Sequence, residues 1–252
     1  MQVLVRRFGR VLLLAVMVLA GACQDSAAPQ LPPTAAPPQF VLVPDVLADR
    51  TDPSQGALTL AGFVVSQKDG VALASALVFD TDGGGYVSST AAAPIWLGAD
   101  FAKLGSVQLQ TAGTLQYAPA LVRGALQGPG EYGPGDHYMY QISAPKLEAW
   151  VPVESSVGAL LDDPQSYNGR LVRVLGSLLL GKGSALLVDK LGSGGIPAQG
   201  ARQIKLLGPI DDSRILNALT ESSSGVVRFG QVQVEGVLRG TVLVPLALRP
   251  VR

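Results

Sequence analysis

SALVFDTDGGG at residues 75–85 returns as SALLVDKLGSG at 184–194. An offset of 109 aligns Ser75 with Ser184, Asp80 with Asp189, Gly83 with Gly192 and Gly85 with Gly194. The same offset aligns Ile95 with Ile204 and Leu97 with Leu206. Upstream, LAGFV (60–64) answers VLGSL (174–178). Downstream, VRGAL (122–126) answers VEGVL (234–238) at an offset of 112. A repeat of this length is the strongest constraint on the fold, because it demands two units of similar plan. The expected units are 45–150 and 151–252.

Gly, Pro and Ser clusters cut both units into short runs rich in Val, Leu and Ile. Such punctuation marks an all-β chain. Each copy reads as a strand with an internal glycine, a hairpin, two strands, a connection, a second strand with an internal glycine, and a last strand. A glycine inside a strand permits the bulge or coil by which a sheet closes. DDSRILNALTE (211–221) is the best helix, with Asp212 or Ser213 as cap and Ile215, Leu216 and Leu219 on one face. VGALLDDPQSY (157–167) has room for one short helical turn.

This order resembles the OB fold, a five-stranded Greek-key barrel. DPQSYNGRLVRVLGSLL (163–179) is similar to the opening of OB-type domains in bacterial envelope proteins. The resemblance covers most of 151–252 and more loosely 58–148, where no helix stands between the third and fourth strands. It implies two tandem small OB-like barrels. A single β-sandwich is the rival architecture.

The amino end reads as a secretion signal over residues 1–22. Arg6, Arg7 and Arg10 form a basic start and Val11–Leu19 an apolar middle. As a helix, residues 11–22 would span only ~18 Å against a hydrocarbon core of ~30 Å, which argues against a spanning anchor. Leu19-Ala20-Gly21-Ala22 then leads into Cys23, the one cysteine of the 252 residues, so no intramolecular disulfide exists. This stretch resembles the lipobox of bacterial lipoproteins, although Ala20 stands where leucine is commoner. The resemblance implies diacylation and N-acylation of Cys23, a membrane partner and a cell-envelope location. Several acyl chains would anchor stably, at ~0.8 kcal/mol per buried CH₂. A plain secretory signal is the alternative. Residues 23–44 then form a tether, in which prolines 29, 32, 33, 37 and 38 favour extended polyproline II.

Chemistry is sparse. Formal net charge is zero, and without residues 1–22 the balance is near −3, too weak a field to imply nucleic acid or an anionic surface. Asp80-x-Asp82-Gly83 has the start of a calcium loop, but position 12 of such a loop would be Ala91, and the second copy has Leu191 in place of Asp82. An Asp/Gly turn is the simpler expectation. Gly176-x4-Gly181-Lys182 lacks the Ser/Thr of a phosphate loop and lies between two strands. Gly128-x-Gly130-x-x-Gly133 has no helix after it. His137 is the only histidine, so a zinc site has few ligands to draw on, and no GxSxG elbow occurs. No cofactor and no catalytic residue are expected.

Two surfaces remain. The loop GEYGPGDHYMY (130–140) gathers Tyr132, His137, Tyr138 and Tyr140, a pattern suited to a sugar or protein partner. On a barrel strand, Tyr138 and Tyr140 would share one face, and His137 and Met139 the other. Arg170, Arg173, Lys182, Arg202, Lys205 and Arg228 would line a basic face of the second unit. The resulting expectation is a non-enzymatic, lipid-anchored binding or scaffolding module for an envelope protein or glycan. Single-stranded nucleic acid at the cell surface is the alternative, weakened by the scarcity of stacking aromatics in 151–252.

Overall fold

The computed structural model describes residues 39–48, 57–100 and 107–251. The signal, Cys23 and prolines 29, 32, 33, 37 and 38 lie outside them. The end of the expected tether, 39–44, instead lies inside the folded unit, where Val41 and Leu42 pair with Leu60 and Ala61 and Leu42 and Val43 are buried. The first half runs β1 (Val41–Leu42), α1 (Val43–Ala48), β2 (Ala57–Gln67), β3 (Gly70–Ala74), β4 (Leu77–Phe79), β5 (Gly85–Val87), β6 (Ile95–Gly98), β7 (Gln110–Ala112), β8 (Leu115–Gln127) and β9 (Gln141–Ala149). The second runs β10 (Val153–Ser155), α2 (Val157–Asp162), α3 (Pro164–Tyr167), β11 (Leu171–Gly181), β12 (Ser184–Val188), β13 (Gln203–Leu206), α4 (Ser213–Ala218), β14 (Thr220–Glu221), β15 (Arg228–Arg239) and β16 (Val242–Pro250). The chain is mostly β.

In the first half, β2, β3, β6, β9 and β8 close into a five-stranded barrel through the β2–β8 pairing. All its pairings are antiparallel except β6 with β9. Alternation decides the inside. Leu60, Val64, Val71, Leu73, Ile95, Leu97, Ala120, Val122 and Ile142 point inward and are buried, and Val43 and Val46 of α1 join the same core. In the second half, β11, β12, β13, β16 and β15 pair in the same circular order, again with one parallel contact, β13 with β16. Val172, Val174, Leu178, Leu187, Ile204, Val232, Val234 and Leu243 fill it, with Ile215 of α4 and Leu160 of α2.

The registers bear out three of the four repeat alignments. Gly62 pairs with Ala120 and Gly176 with Val232; Ile95 pairs with Leu73 and Ile204 with Leu187. Gly62 and Gly176 have one role: a Cβ on Gly62 would lie 2.6 Å from the Ala74 carbonyl oxygen, and one on Gly176 would lie 3.0 Å from that of Val188. The strand that follows can therefore cross the first one closely. β8 and β15 both shift register near an internal glycine, Gly124 and Gly236.

The fourth alignment is overturned. SALLV (184–188) is β12, the second strand of its ring, but SALVF (75–79) is not the second strand of the barrel. That place belongs to β3, whose Ala74 faces Phe63 as Val188 faces Ser177. The stretch 77–87 is instead an extra hairpin, β4–β5, inserted between the second and third strands. It leaves the first half and adds to the sheet of the second, with Leu77 and Val78 pairing in parallel with Ala247 and Leu248 of β16. The expected unit boundary at 150/151 falls between β9 and β10, and this hairpin crosses it. A shared core follows: Ala61, Phe63, Val65, Ala72 and Ala74 of the barrel wall pack with Leu77 and Phe79 against Leu171, Val237, Leu246 and Ala247. All described residues belong to one compact unit.

Local expectations fared unevenly. α4 starts at Ser213 with Asp212 as its cap, the Arg214 N–H donating to Asp212 Oδ1 at 3.0 Å. The stretch 157–167 forms two short helices, α2 and α3, capped by Ser156 and Asp163. HYMYQIS is a strand only from Gln141 onward.

Asp212 also clasps the inserted hairpin. It is 3% exposed and accepts at Oδ2 from the Ser89 N–H (3.3 Å) and hydroxyl (3.1 Å). Burial raises its pKa, but the donors of Arg214 and Ser89 and the Arg214 charge outweigh it, so the carboxyl sits below its ordinary value. Its contribution is present above about pH 4, the range of an unperturbed carboxyl, and is lost as pH falls through the lower folded value. Asp212→Ala is expected to cost about 1–3 kcal/mol in urea unfolding at neutral pH. That difference should shrink on acidification below pH ~4.

Candidate functional site

Trp96 stands between Ile95 and Leu97 on β6, and because those two point into the barrel its ring points out. The loop 128–140 joins β8 to β9 and folds back over that ring. Its own backbone closes it: the Gly130 N–H donates to the Met139 carbonyl (2.9 Å), and Tyr132 and Tyr138 exchange N–H···O bonds at 2.9 and 3.2 Å. A 3-10 turn at Pro134–Asp136 forms the tip. The Trp96 N–H donates to the Tyr140 carbonyl at 2.9 Å, which ties the loop to the barrel wall.

The result is an aromatic ledge. Trp96 and Tyr138 lie 5.1 Å apart at 41°. Trp96, Tyr132 and Tyr138 are each half-buried, while His137 is exposed and Met139 is 54% exposed. Burial pushes the Tyr138 hydroxyl up, and the charge of Asp69 adds to that. Indole N–H, phenol and imidazole groups supply donors and acceptors beside the apolar ring faces. The chemistry available is adhesion to a ligand with both apolar and hydroxyl or carbonyl character.

One expectation for this loop fails. Tyr138 and Tyr140 do not share a face. Tyr138 packs toward the core shared by the two halves, and Tyr140 toward the barrel interior. The reason is that 137–140 is loop, so strand alternation does not apply. Trp96 stands outside the candidates that glycine and tyrosine patterning marks, although its place between two inward aliphatic residues identifies it as an outward aromatic.

The other sequence candidates have structural partners. Asp80 closes its own turn: Oδ1 accepts from the N–H groups of Gly84 (2.7 Å) and Asp82 (3.0 Å), and Oδ2 from the Tyr86 hydroxyl (3.0 Å). The Gly84 N–H is the main cause that holds its carboxyl below the ordinary value. Tyr86 in turn lies under the Arg214 guanidinium, 4.1 Å from ring centre. Donors thus surround Asp80 where a metal would need bare acceptors. Among the described residues, no three of His, Cys, Asp and Glu come together as a metal site, with Asp82 included.

The basic face does not assemble. Arg173 donates to Glu235 at 2.8 Å and Glu154 at 2.6 Å, Arg202 donates to both oxygens of Asp162, and Arg228 reaches Glu221 and the Leu216 carbonyl. Lys205 pairs across β12 with Leu186, which faces Leu179, six residues along β11 from Arg173. Lys205 thus sits two strands from β11 by way of β12. Arg170 lies at the start of β11, after α3, where its N–H donates to the Tyr167 carbonyl.

A second polar group lies at the seam between the halves. The buried Tyr117 donates to Gln110 Oε1 (3.1 Å) and accepts from Arg249 (3.0 Å), while Arg249 stacks 3.9 Å over Phe79. It holds the inserted hairpin.

The ledge depends on Gly70, where φ is +143° and an added Cβ would lie 2.1 Å from the Trp96 ring. Gly70→Ala is expected to displace Trp96 from Tyr138, shift tryptophan emission to the red, and cost about 2 kcal/mol. Fluorescence and urea unfolding of the variant check both. No family model, curated protein or solved structure matches this chain.

Proposed function

We propose that this chain is a lipid-anchored envelope protein built from two OB-like barrels, and that it binds rather than converts its partner. Both circuits of strands follow the pairing scheme of an OB barrel: first with second, second with third, third with fifth in parallel, fifth with fourth, fourth with first. α4 occupies the position between the third and fourth strands of the second circuit, as the OB resemblance implies. The first barrel is interrupted by the β4–β5 hairpin. Function from fold alone is analogy, so the site carries the argument.

The observation that carries it is the ledge of Trp96, Tyr132 and Tyr138, with His137 and Met139 exposed beside it. The partner that suits it is an envelope protein or glycan, met through ring faces and a few hydrogen bonds. The ion pairs of Arg173, Arg202 and Arg228 weigh against single-stranded nucleic acid. Acylation of Cys23 would keep the barrels at the membrane surface, with residues 24–38 as spacer.

Two experiments test this. Cys23→Ser should move the protein from the membrane to the soluble fraction and abolish labelling by radioactive palmitate; retention of both overturns the anchor. Cross-linking on native membranes and retention on envelope polysaccharide should each be run with His137→Ala/Met139→Ala. Both side chains are exposed, so the fold should persist. Binding is expected to fall at least about tenfold in the assay that reports the true partner. Unchanged binding in both assays removes the ledge from consideration.

A further inference from the structure

By register, β9 is the counterpart of β16. The offset of 112 that aligns Val122 with Val234 also brings their cross-strand partners into line: Leu147 corresponds to Leu248, Lys146 to Ala247 and Ala149 to Pro250. The parallel contacts agree, since Trp96 with Gln141 corresponds to Lys205 with Val242. Past that contact the two strands differ. β16 goes on to take β4 along its outer edge, with Ala247 beside Leu77 and Leu248 beside Val78. Among the described residues, β9 pairs only with β8 and, at Gln141, with β6. From Ser143 to Ala149 its outer edge thus has no strand of those residues beside it. A strand with one neighbour turns half of its N–H and C=O groups outward.

This edge is open to solvent. Ala144, Lys146, Glu148 and Ala149 are exposed, and Leu147 is half-buried against the barrel core. Its counterpart Leu248 is 6% exposed and shares the second core with Val78 of the added strand. A proline does not bar such an edge. Ala144-Pro145 stands where Pro245-Leu246 stands in β16, beside the register shift, and β16 still accepts β4. Charge defines what would fit. Lys146 lies directly opposite Arg123, and both are exposed. No carboxylate of the described residues forms an ion pair with either. Like charges facing across a ladder destabilise it, and an acid on the adjoining strand relieves them. Glu148, two residues on, shares the face of Lys146.

We propose that the outer edge of β9, at Lys146–Ala149, takes an extended segment of a partner protein as an added parallel strand, as β16 takes β4. The segment it fits carries an acid beside Lys146, an aliphatic residue beside Leu147 and a base beside Glu148. Main-chain bonds hold the segment, and its alternate side chains give selectivity. The edge lies at the far end of β9 from the loop 128–140 and does not depend on the role proposed for the ledge.

The probe is a short fluorescein-labelled peptide centred on Glu-Val-Lys, flanked by alternating threonine and valine and titrated against the full chain in nonionic detergent. It should bind at least about fivefold tighter than the same peptide centred on Lys-Val-Glu. Lys146→Glu/Glu148→Lys should reverse that preference, with unchanged far-ultraviolet circular dichroism because both side chains are exposed. N-methylating one alternate set of peptide amides should weaken binding at least about tenfold, and methylating the other set should not. In hydrogen exchange, the amides of 146–149 should exchange fast in the chain alone and slow at least about tenfold with peptide bound. Absence of binding, or binding indifferent to charge order and methylation, overturns the proposal. Preference for Lys-Val-Glu overturns the parallel arrangement. Protection of 146–149 without peptide overturns the proposal too: the edge is then filled by the chain itself, or by a second copy if protection rises with protein concentration.

Discussion

The β4–β5 hairpin makes one unit out of two halves. It leaves the first barrel after β3 and gives Leu77 and Val78 to the edge of β16. This packs Phe79 against both Tyr117 and the Arg249 guanidinium, and sets Ser89 against the Asp212 carboxylate. Asp45 of α1 also pairs with Arg239 at the end of β15. The apolar wall of the first barrel would be a solvent-exposed patch without this arrangement, and apolar patches of that kind mark contacts. Here the contact is internal.

The same geometry distributes the available chemistry. Polar groups near the seam serve the clasp, so Asp80, Asp212, Tyr117 and Arg249 have structural employment. The inward faces of both strand circuits are filled by aliphatic side chains, as in small barrels whose interiors pack solid. The aromatic and aliphatic groups left exposed then lie on outer surfaces. The first barrel carries the Trp96–Tyr138 ledge, and the second half leaves Leu175 and Ile196 exposed. The ledge sets ring faces beside hydrogen-bonding groups, whereas Leu175 and Ile196 are purely aliphatic.

Much of the strand plan was legible because it rests on local signals. Gly62 and Gly176 announced close strand crossings, and the offsets at Ile95/Ile204 and Val122/Val234 matched true registers. Asp212 was recognisable as a helix cap. Less of the candidate site was legible. The loop 128–140 could be located from its glycines and tyrosines, yet the split between Tyr138 and Tyr140 could not, because it follows from backbone bonds between residues 130–132 and 138–139. Arg173, Arg202 and Arg228 read as a basic face, since their acidic partners lie on other elements, as far away in sequence as Glu235.

The SALVFDTDGGG stretch shows where the division falls. By itself the sequence determined that this segment is a strand running into an Asp/Gly turn, since a short apolar run, a carboxylate and three glycines act within a few residues of one another. Only the tertiary structure decided which sheet receives the strand. Its likeness to SALLVDKLGSG pointed to the second strand of a barrel, but β3 already holds that place beside Phe63. The hairpin went where an open β16 edge and an uncovered apolar wall could both be satisfied. Backbone pairing and burial across the whole chain settle that choice, and no local pattern encodes it.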